Sequence, residues 1–197
     1  MKLARPLLII ALLVVAAGVA LLALRGPAAD KAPAPSLIGG PFQMVDTDGK
    51  TVDQSVLNGK WSAVFFGFTY CPDVCPATLQ ALSAAVPKLT PDQAKNLQIV
   101  FVSIDPERDT PEQLKGYLDA QRLPVKAIGL TGTPAQVAAT AKTYRVFYEK
   151  AGTGDDYTMN HSTAVYLMDP KGRFDRVIAF GLTPAQMAEQ IAAAMRR

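Results

Sequence analysis

The chain has 197 residues, 49% of them hydrophobic, and a formal net charge of +3. That length suits one domain with a real core and is too short for two comfortable ones. It holds no block of Lys or Arg, so it lacks the electrostatic footprint of a nucleic-acid binder, and that class is set aside.

Lys2 and Arg5 precede an apolar run from Leu7 to Leu24, which Arg25 closes. At helical rise the run reaches about 27 Å, close to the ~30 Å hydrocarbon core of a bilayer. Two readings compete for residues 1–25. One is an uncleaved transmembrane anchor; the other is a cleaved signal with a small-residue site near Ala28-Ala29. The run exceeds the usual apolar region of a signal, about 7–15 residues, which favours the anchor. No cysteine follows it, which argues against a lipoprotein. The basic start favours a cytoplasmic N-terminus, and both readings put the remainder outside the cytoplasm. Residues 26–36, rich in Ala and Pro, read as a semi-extended tether, and residues 37–197 as the domain.

Within the domain, Phe42 to Val52 around Asp48-Gly49 predicts a hairpin. Trp61 to Thr69 and Leu97 to Ile104 are apolar runs of the kind found in strands buried on both faces. Between them, Pro76 is suited to open a helix over Ala77 to Leu89, with Cys75 near its cap. The pattern Thr-Pro-x-Gln occurs at Thr90, Thr110, Thr133 and Thr183, each a capping box with Pro at the first helical position. The expected helices end near Asn96, Arg122, Arg145 and Met195. Val165 to Met168 and Arg176 to Phe180 flank Asp169-Pro170-Lys171-Gly172, a second hairpin. Strands alternating with helices indicate an α/β sheet with helices on both faces. The layout resembles thioredoxin, with extra N-terminal and C-terminal hairpins.

Two cysteines and a single histidine make up the thiol and imidazole inventory, so metal or redox chemistry must draw on them. Cys71 and Cys75 lie in Tyr70-Cys71-Pro72-Asp73-Val74-Cys75-Pro76, directly after a predicted strand. Cys75 precedes a proline, which disfavours the helical conformation at Cys75 itself. Both sulfurs then sit at the mouth of a helix N-terminus, where the dipole favours thiolate. A structural disulfide competes with this reading, since the compartment is oxidising. A loop this small, however, closes little chain entropy. His161 lies in Met159-Asn160-His161-Ser162, just before the strand from Ala164, where a thioredoxin-like sheet faces its cysteine loop. Two thiolates and one imidazole suit Cu(I), and the imidazole also accommodates Cu(II). Structural zinc wants a fourth ligand, and catalytic zinc lacks an acid/base partner here. Asp73, Asp105 and Met159 are candidates for tuning the site from around it. Each has a bland alternative: loop solvation for Asp73, loop locking for Asp105 with Pro106, Arg108 and Asp109, and core packing for Met159.

The stretch Phe66 to Pro76 resembles the signature of the Sco/SenC copper proteins. Ser103-Ile104-Asp105-Pro106-Glu107-Arg108-Asp109-Thr110-Pro111 resembles that family's second block. Asn160-His161-Ser162, followed by Tyr166 to Gly172, resembles its third. The resemblance covers the domain from about Leu37 onward. It implies that Cys71, Cys75 and His161 bind copper. It also implies delivery of copper to, or thiol reduction of, the binuclear copper site in subunit II of cytochrome c oxidase. A bacterial inner-membrane protein facing the periplasm is expected, with a second copper chaperone or a thiol reductase as a further partner. The rival class is an enzyme of thiol–disulfide or peroxidase type. Thiol reductases usually space their cysteines Cys-x-x-Cys, whereas three residues intervene here. A peroxidatic cysteine follows a Thr three positions earlier, and Phe68 stands there.

Overall fold

A computed structural model describes residues 37–154 and 156–196. The anchor and tether expected over residues 1–36 lie outside the described residues. Among the described residues, no helix is long and apolar enough to cross a membrane.

The strands are β1 (Gln43–Asp46), β2 (Thr51–Asp53), β3 (Trp61–Gly67), β4 (Leu97–Ser103), β5 (Lys126–Thr131), β6 (Tyr148–Ala151), β7 (Thr158–His161), β8 (Val165–Met168) and β9 (Phe174–Ile178). The helices are α1 (Val74–Ala85), α2 (Pro91–Lys95), α3 (Pro111–Gln121), α4 (Pro134–Thr143) and α5 (Pro184–Met195). Seven strands form one sheet in the order β2-β1-β5-β4-β3-β8-β9, while β6 and β7 pair only with each other. The central strands β3, β4 and β5 are parallel; the flanking strands join them antiparallel. The two apolar runs of the sequence are β3 and the central strand β4, both interior to the sheet, and β4 is buried along its whole length.

The crossovers β3–α1–β4 and β4–α3–β5 step in the same direction across the sheet. Right-handed connections therefore bring α1 and α3 to the same face. The register agrees. Phe65, Phe101 and Gly129 are aligned, and Gly67 shares their side two residues on. A Cβ on Gly67 would lie 2.8 Å from the Cys75 sulfur in α1, and one on Gly129 would lie 2.9 Å from Leu114 in α3. Helix α5 packs on α1. The other face carries Phe66, which meets Tyr144 at the end of α4 with ring centroids 5.3 Å apart. The expected helices on both faces are therefore present.

The two predicted hairpins use one device. In β1–β2 the Asp46 carboxylate accepts from the amides of Asp48 and Lys50, both at 2.9 Å. In β8–β9 the Asp169 carboxylate accepts from those of Lys171 and Arg173, again at 2.9 Å. Gly49 and Gly172 supply the positive φ, 78° and 70°, that each tight turn needs. Strand β9 begins two residues earlier than expected, at Phe174.

Three of the four Thr-Pro-x-Gln segments form complete capping boxes, at Thr90, Thr133 and Thr183. At Thr110 the hydroxyl caps α3, but the Gln113 side chain turns instead toward the hydroxyl of Thr69, at 3.4 Å. The helix after the cysteine loop begins earlier than expected, at Val74, so Cys75 and Pro76 belong to its first turn. Its first intrahelical bond runs from the Ala77 amide to the Asp73 carbonyl at 3.0 Å. Proline is tolerated there because the amides of a first turn have no helical acceptor. Strands β5, β6 and β7 were not expected from the sequence; His161, placed before β8 as expected, is the last residue of β7.

Gly67 is the closest approach of sheet to helix at the cysteines. Gly67→Ala should cost about 1–3 kcal/mol, because the methyl group meets the Cys75 sulfur and the Phe101 ring within a packed core. Urea unfolding should show a lower midpoint at unchanged slope.

Candidate metal centre

Strand β3 ends against the sulfurs it positions. After Gly67 and buried Phe68, the chain turns, and the Cys71 amide donates to the Phe68 carbonyl at 3.2 Å. Asp73 then occupies the N-cap position of α1 without a side-chain capping bond. The Cys75 amide, one of the unpaired donors of this first turn, points back at the Cys71 sulfur at 3.3 Å. Cys75 itself is fully buried, whereas Cys71 is partly exposed, and both are free thiols.

The two sulfurs titrate as a pair. A hydrogen bond from the Cys75 thiol holds the Cys71 pKa down at about 4, against a smaller opposing effect of burial; His161 and the backbone amides of Cys75 and Asp73 lower it further. That same bond to Cys71, together with burial, pushes the Cys75 thiol far up. Cys71 is thus a thiolate and Cys75 the proton donor to it. The helix N-terminus favours the same charge on the same sulfur.

His161 comes from the other side. Its Nδ1 lies 2.8 Å from the Ser162 carbonyl oxygen. A carbonyl only accepts, so Nδ1 donates to it and Nε2 is the nitrogen left to face the sulfurs. Nε2 lies 3.8 Å from the Cys75 sulfur, and the rings of Phe65 and Phe68 meet the imidazole edge-on at 6.3 and 5.9 Å. The three donor atoms of Cys71, Cys75 and His161 all lie within 4.8 Å of one another. The sequence-expected trio is therefore brought together across 86 residues of sequence. Fixing one ring nitrogen by a backbone carbonyl while the other faces the sulfurs is the arrangement metal-binding histidines use.

A cleft lined by Phe68, Cys71, Asp73, Met159 and His161 opens the site to solvent. Asp73 and Met159 thus lie at its mouth, and Met159 also packs against the core as the bland alternative held. Asp105 is not part of this lining. Its carboxylate is 2.6 Å from both the Arg108 Nε and the Tyr157 hydroxyl, so it locks loops. Asp109, fully buried, locks loops too, as the sequence reading held. It accepts from the Thr69 amide at 3.1 Å, the Thr69 hydroxyl at 2.6 Å and the Ser103 hydroxyl at 2.6 Å. The ends of β3 and β4 are joined there, directly below the cysteine loop. Burial raises its pKa, although these three donors oppose the rise. Arg108 is brought over Tyr70 in the cysteine loop, with the guanidinium 4.7 Å from the ring centroid.

The SCO1/SenC family model matches residues 30–196. The mitochondrial SCO1 homolog 1 of Arabidopsis thaliana is 44% identical over 151 residues, covering 76% of this chain and 43% of that protein. Protein SenC of Rhodobacter capsulatus is 41% identical over 155 residues, covering 78% of this chain and 69% of SenC. The crystal structure of Arabidopsis thaliana ScoI with copper bound superposes with a TM-score of 0.75 at 38% identity, covering 81% of this chain and 98% of that one. The chain spans about half the length of several curated relatives that it matches.

The unequal sulfurs make a kinetic prediction. Limited alkylation should label Cys71 well before Cys75, as read by mass spectrometry. The Cys71 rate should stay flat from pH 8 down to pH 5 and fall only as the pH drops through about 4, because the thiolate is the reacting form. A rate that instead falls between pH 9 and pH 8, as for an ordinary thiol, would contradict the assignment.

Proposed function

The chain belongs to the SCO1/SenC family, and we propose that it carries one copper ion as cargo on Cys71, Cys75 and His161 for the assembly of cytochrome c oxidase. One observation carries this reading: a thiolate, a second sulfur and an imidazole nitrogen converge within 4.8 Å at a cleft. Soft sulfurs select Cu(I), and the imidazole extends the set to Cu(II). Cys75 gives up its proton when a metal takes its place between the sulfurs. The copper-bound ScoI of Arabidopsis thaliana supports copper over other soft metals.

The acceptor is the binuclear copper site of cytochrome c oxidase subunit II, as the three sequence blocks imply. Tyr70, beside Cys71, is 56% exposed, and Phe147, whose backbone bonds to Ser162 beside His161, is 60% exposed. Two large exposed rings flanking the donors suit a face that meets another protein. The domain works outside the cytoplasm, tethered to the bacterial inner membrane by residues 7–24. A separate periplasmic copper chaperone or thiol reductase supplies or resets it. Titration of the reduced domain should show one Cu(I) per chain. Cys71→Ser and Cys75→Ser should each weaken binding of both Cu(I) and Cu(II), and His161→Ala that of Cu(II). The loss should exceed about 10–100-fold, the scale set by partners that merely orient a ligand. Transfer is read by mixing the loaded protein with an apo fragment of subunit II. Full Cu(II) affinity in His161→Ala would remove His161 from the set.

The same sulfurs support thiol exchange, and the low pKa of Cys71 favours it. The Cys71 thiolate attacks a target disulfide, and Cys75 then displaces the target from the mixed disulfide. Two electrons and the Cys75 proton pass to the target, which is left with one thiol and one thiolate, as a Cys71–Cys75 disulfide forms. That disulfide offers no thiolate to copper, so copper loading and oxidation exclude one another. Alkylation of free thiols after aerobic exposure should show disulfide in the empty protein and free, protected thiols once Cu(I) is released from the loaded one. Equal oxidation of both samples would mean that copper does not occupy the sulfurs.

A further inference from the structure

The β6–β7 hairpin that carries His161 has no strand partner in the seven-stranded sheet. A two-stranded hairpin this short is marginal in water by itself. Among the described residues, its hydrogen bonds to the body of the domain converge on one loop, apart from the His161–Cys75 contact. The Tyr157 hydroxyl donates to Asp105 at 2.6 Å, and Arg108 Nη1 donates to the Tyr157 carbonyl at 3.0 Å. Arg108 Nε donates to the other oxygen of Asp105 at 2.6 Å. The guanidinium also stacks on the Tyr157 ring, with its carbon 3.6 Å from the centroid. Lys150 adds an outer layer, 2.8 Å from Glu107 and 3.7 Å from the Tyr157 centroid.

Tyr157 is buried and immediately precedes β7, whereas His161 ends it. Four residues of extended chain span about 13 Å. The strand is therefore a short rigid arm, fixed at Tyr157 and presenting the imidazole at its far end. The loop that grips Tyr157 also holds the cysteines: Asp109 bonds Thr69, and Arg108 lies over Tyr70. One loop, residues 105–109, thereby registers both halves of the donor set against each other.

From this geometry we infer that Tyr157, Asp105 and Arg108 are positioning residues that set where His161 stands relative to the two sulfurs. This rests on the copper reading above. The sulfurs come from the rigid β3–α1 junction and keep their place without the clamp. The imidazole does not. Cu(I), which two thiolates satisfy, is insensitive to the clamp, whereas Cu(II), which wants the nitrogen, depends on it. The clamp thus sets which oxidation state the site prefers.

The test compares Tyr157→Phe, which deletes one hydroxyl, with the wild-type domain and with His161→Ala. In Tyr157→Phe, Cu(II) affinity should fall about tenfold, within the range for groups that orient a ligand. Cu(I) affinity should stay within about twofold, since both sulfurs keep their place. The thiolate-to-Cu(II) absorption should shift toward that of His161→Ala, and amides of 158–161 should exchange faster in the metal-free protein. Arg108→Lys keeps the charge facing Asp105 but loses the planar stack, and it should behave alike. It carries the test if Tyr157→Phe does not fold. Unchanged Cu(II) affinity and spectrum would overturn the inference, as would equal loss of Cu(I) and Cu(II). If His161→Ala itself binds Cu(II) normally, the copper assignment fails and the clamp with it.

Discussion

A single buried carboxylate ties the architecture together. Asp109 sits at the C-terminal ends of β3 and β4 and accepts three short hydrogen bonds from Thr69 and Ser103. Its own carbonyl accepts from the Thr131 hydroxyl at 2.7 Å, which adds β5 to the same knot. Three parallel strands thus end at one residue. Parallel strands place their loops, and so their chemistry, at this edge. Burying a carboxylate costs several kcal/mol unless its oxygens are satisfied, so the surrounding donors cannot be exchanged freely. Without that knot the cysteine loop has no fixed origin, and the helix that presents Cys75 has no fixed start.

Much of this was legible in the sequence where one local rule dominates. The helix starts were read from Thr-Pro-x-Gln, because capping and the fixed φ of proline act within four residues. The departure at Gln113 is tertiary: Thr69, 44 residues away in the chain, lies near enough to draw its side chain. The hairpins at Asp46 and Asp169 were read from their turns for the same local reason. By contrast, β5 contains Gly129, a poor strand residue taken alone. Its strand character comes from lying beside β4 with Leu114 and Leu118 filling the space a side chain would need. Strands β6 and β7 carry weak, largely polar patterns, and their order comes from side chains of residues 105–109.

The candidate site was legible for a different reason. With two thiols and one imidazole in the chain, the donor set was bounded before any geometry was known. The orientation was not. Nothing local shows that the Ser162 carbonyl holds Nδ1, or that Cys75 protonates while Cys71 does not. Proline after Cys75 argued locally against helix at that residue. Packing of the buried sulfur against Gly67 accompanies the opposite outcome, with helix from Val74 onward. Asp105 and Asp109 were seen as loop-locking residues, and they are. Tyr157 carried no signal, because its role exists only between two segments distant in sequence.

The rims of the large sheet have a consequence of their own. Its edges are β2, three residues long, and β9, which carries the Asp175–Arg176 ion pair at 2.7 Å. An open edge is a template for another copy of the same strand, and short or charged edges discourage that pairing. The long, apolar strands β3 and β4, the segments most able to template aggregation, are both interior and fully matched. Many copies can therefore crowd together without growing into a continuous ribbon. The hairpins at either edge of the sheet thus act as fences as much as they extend it.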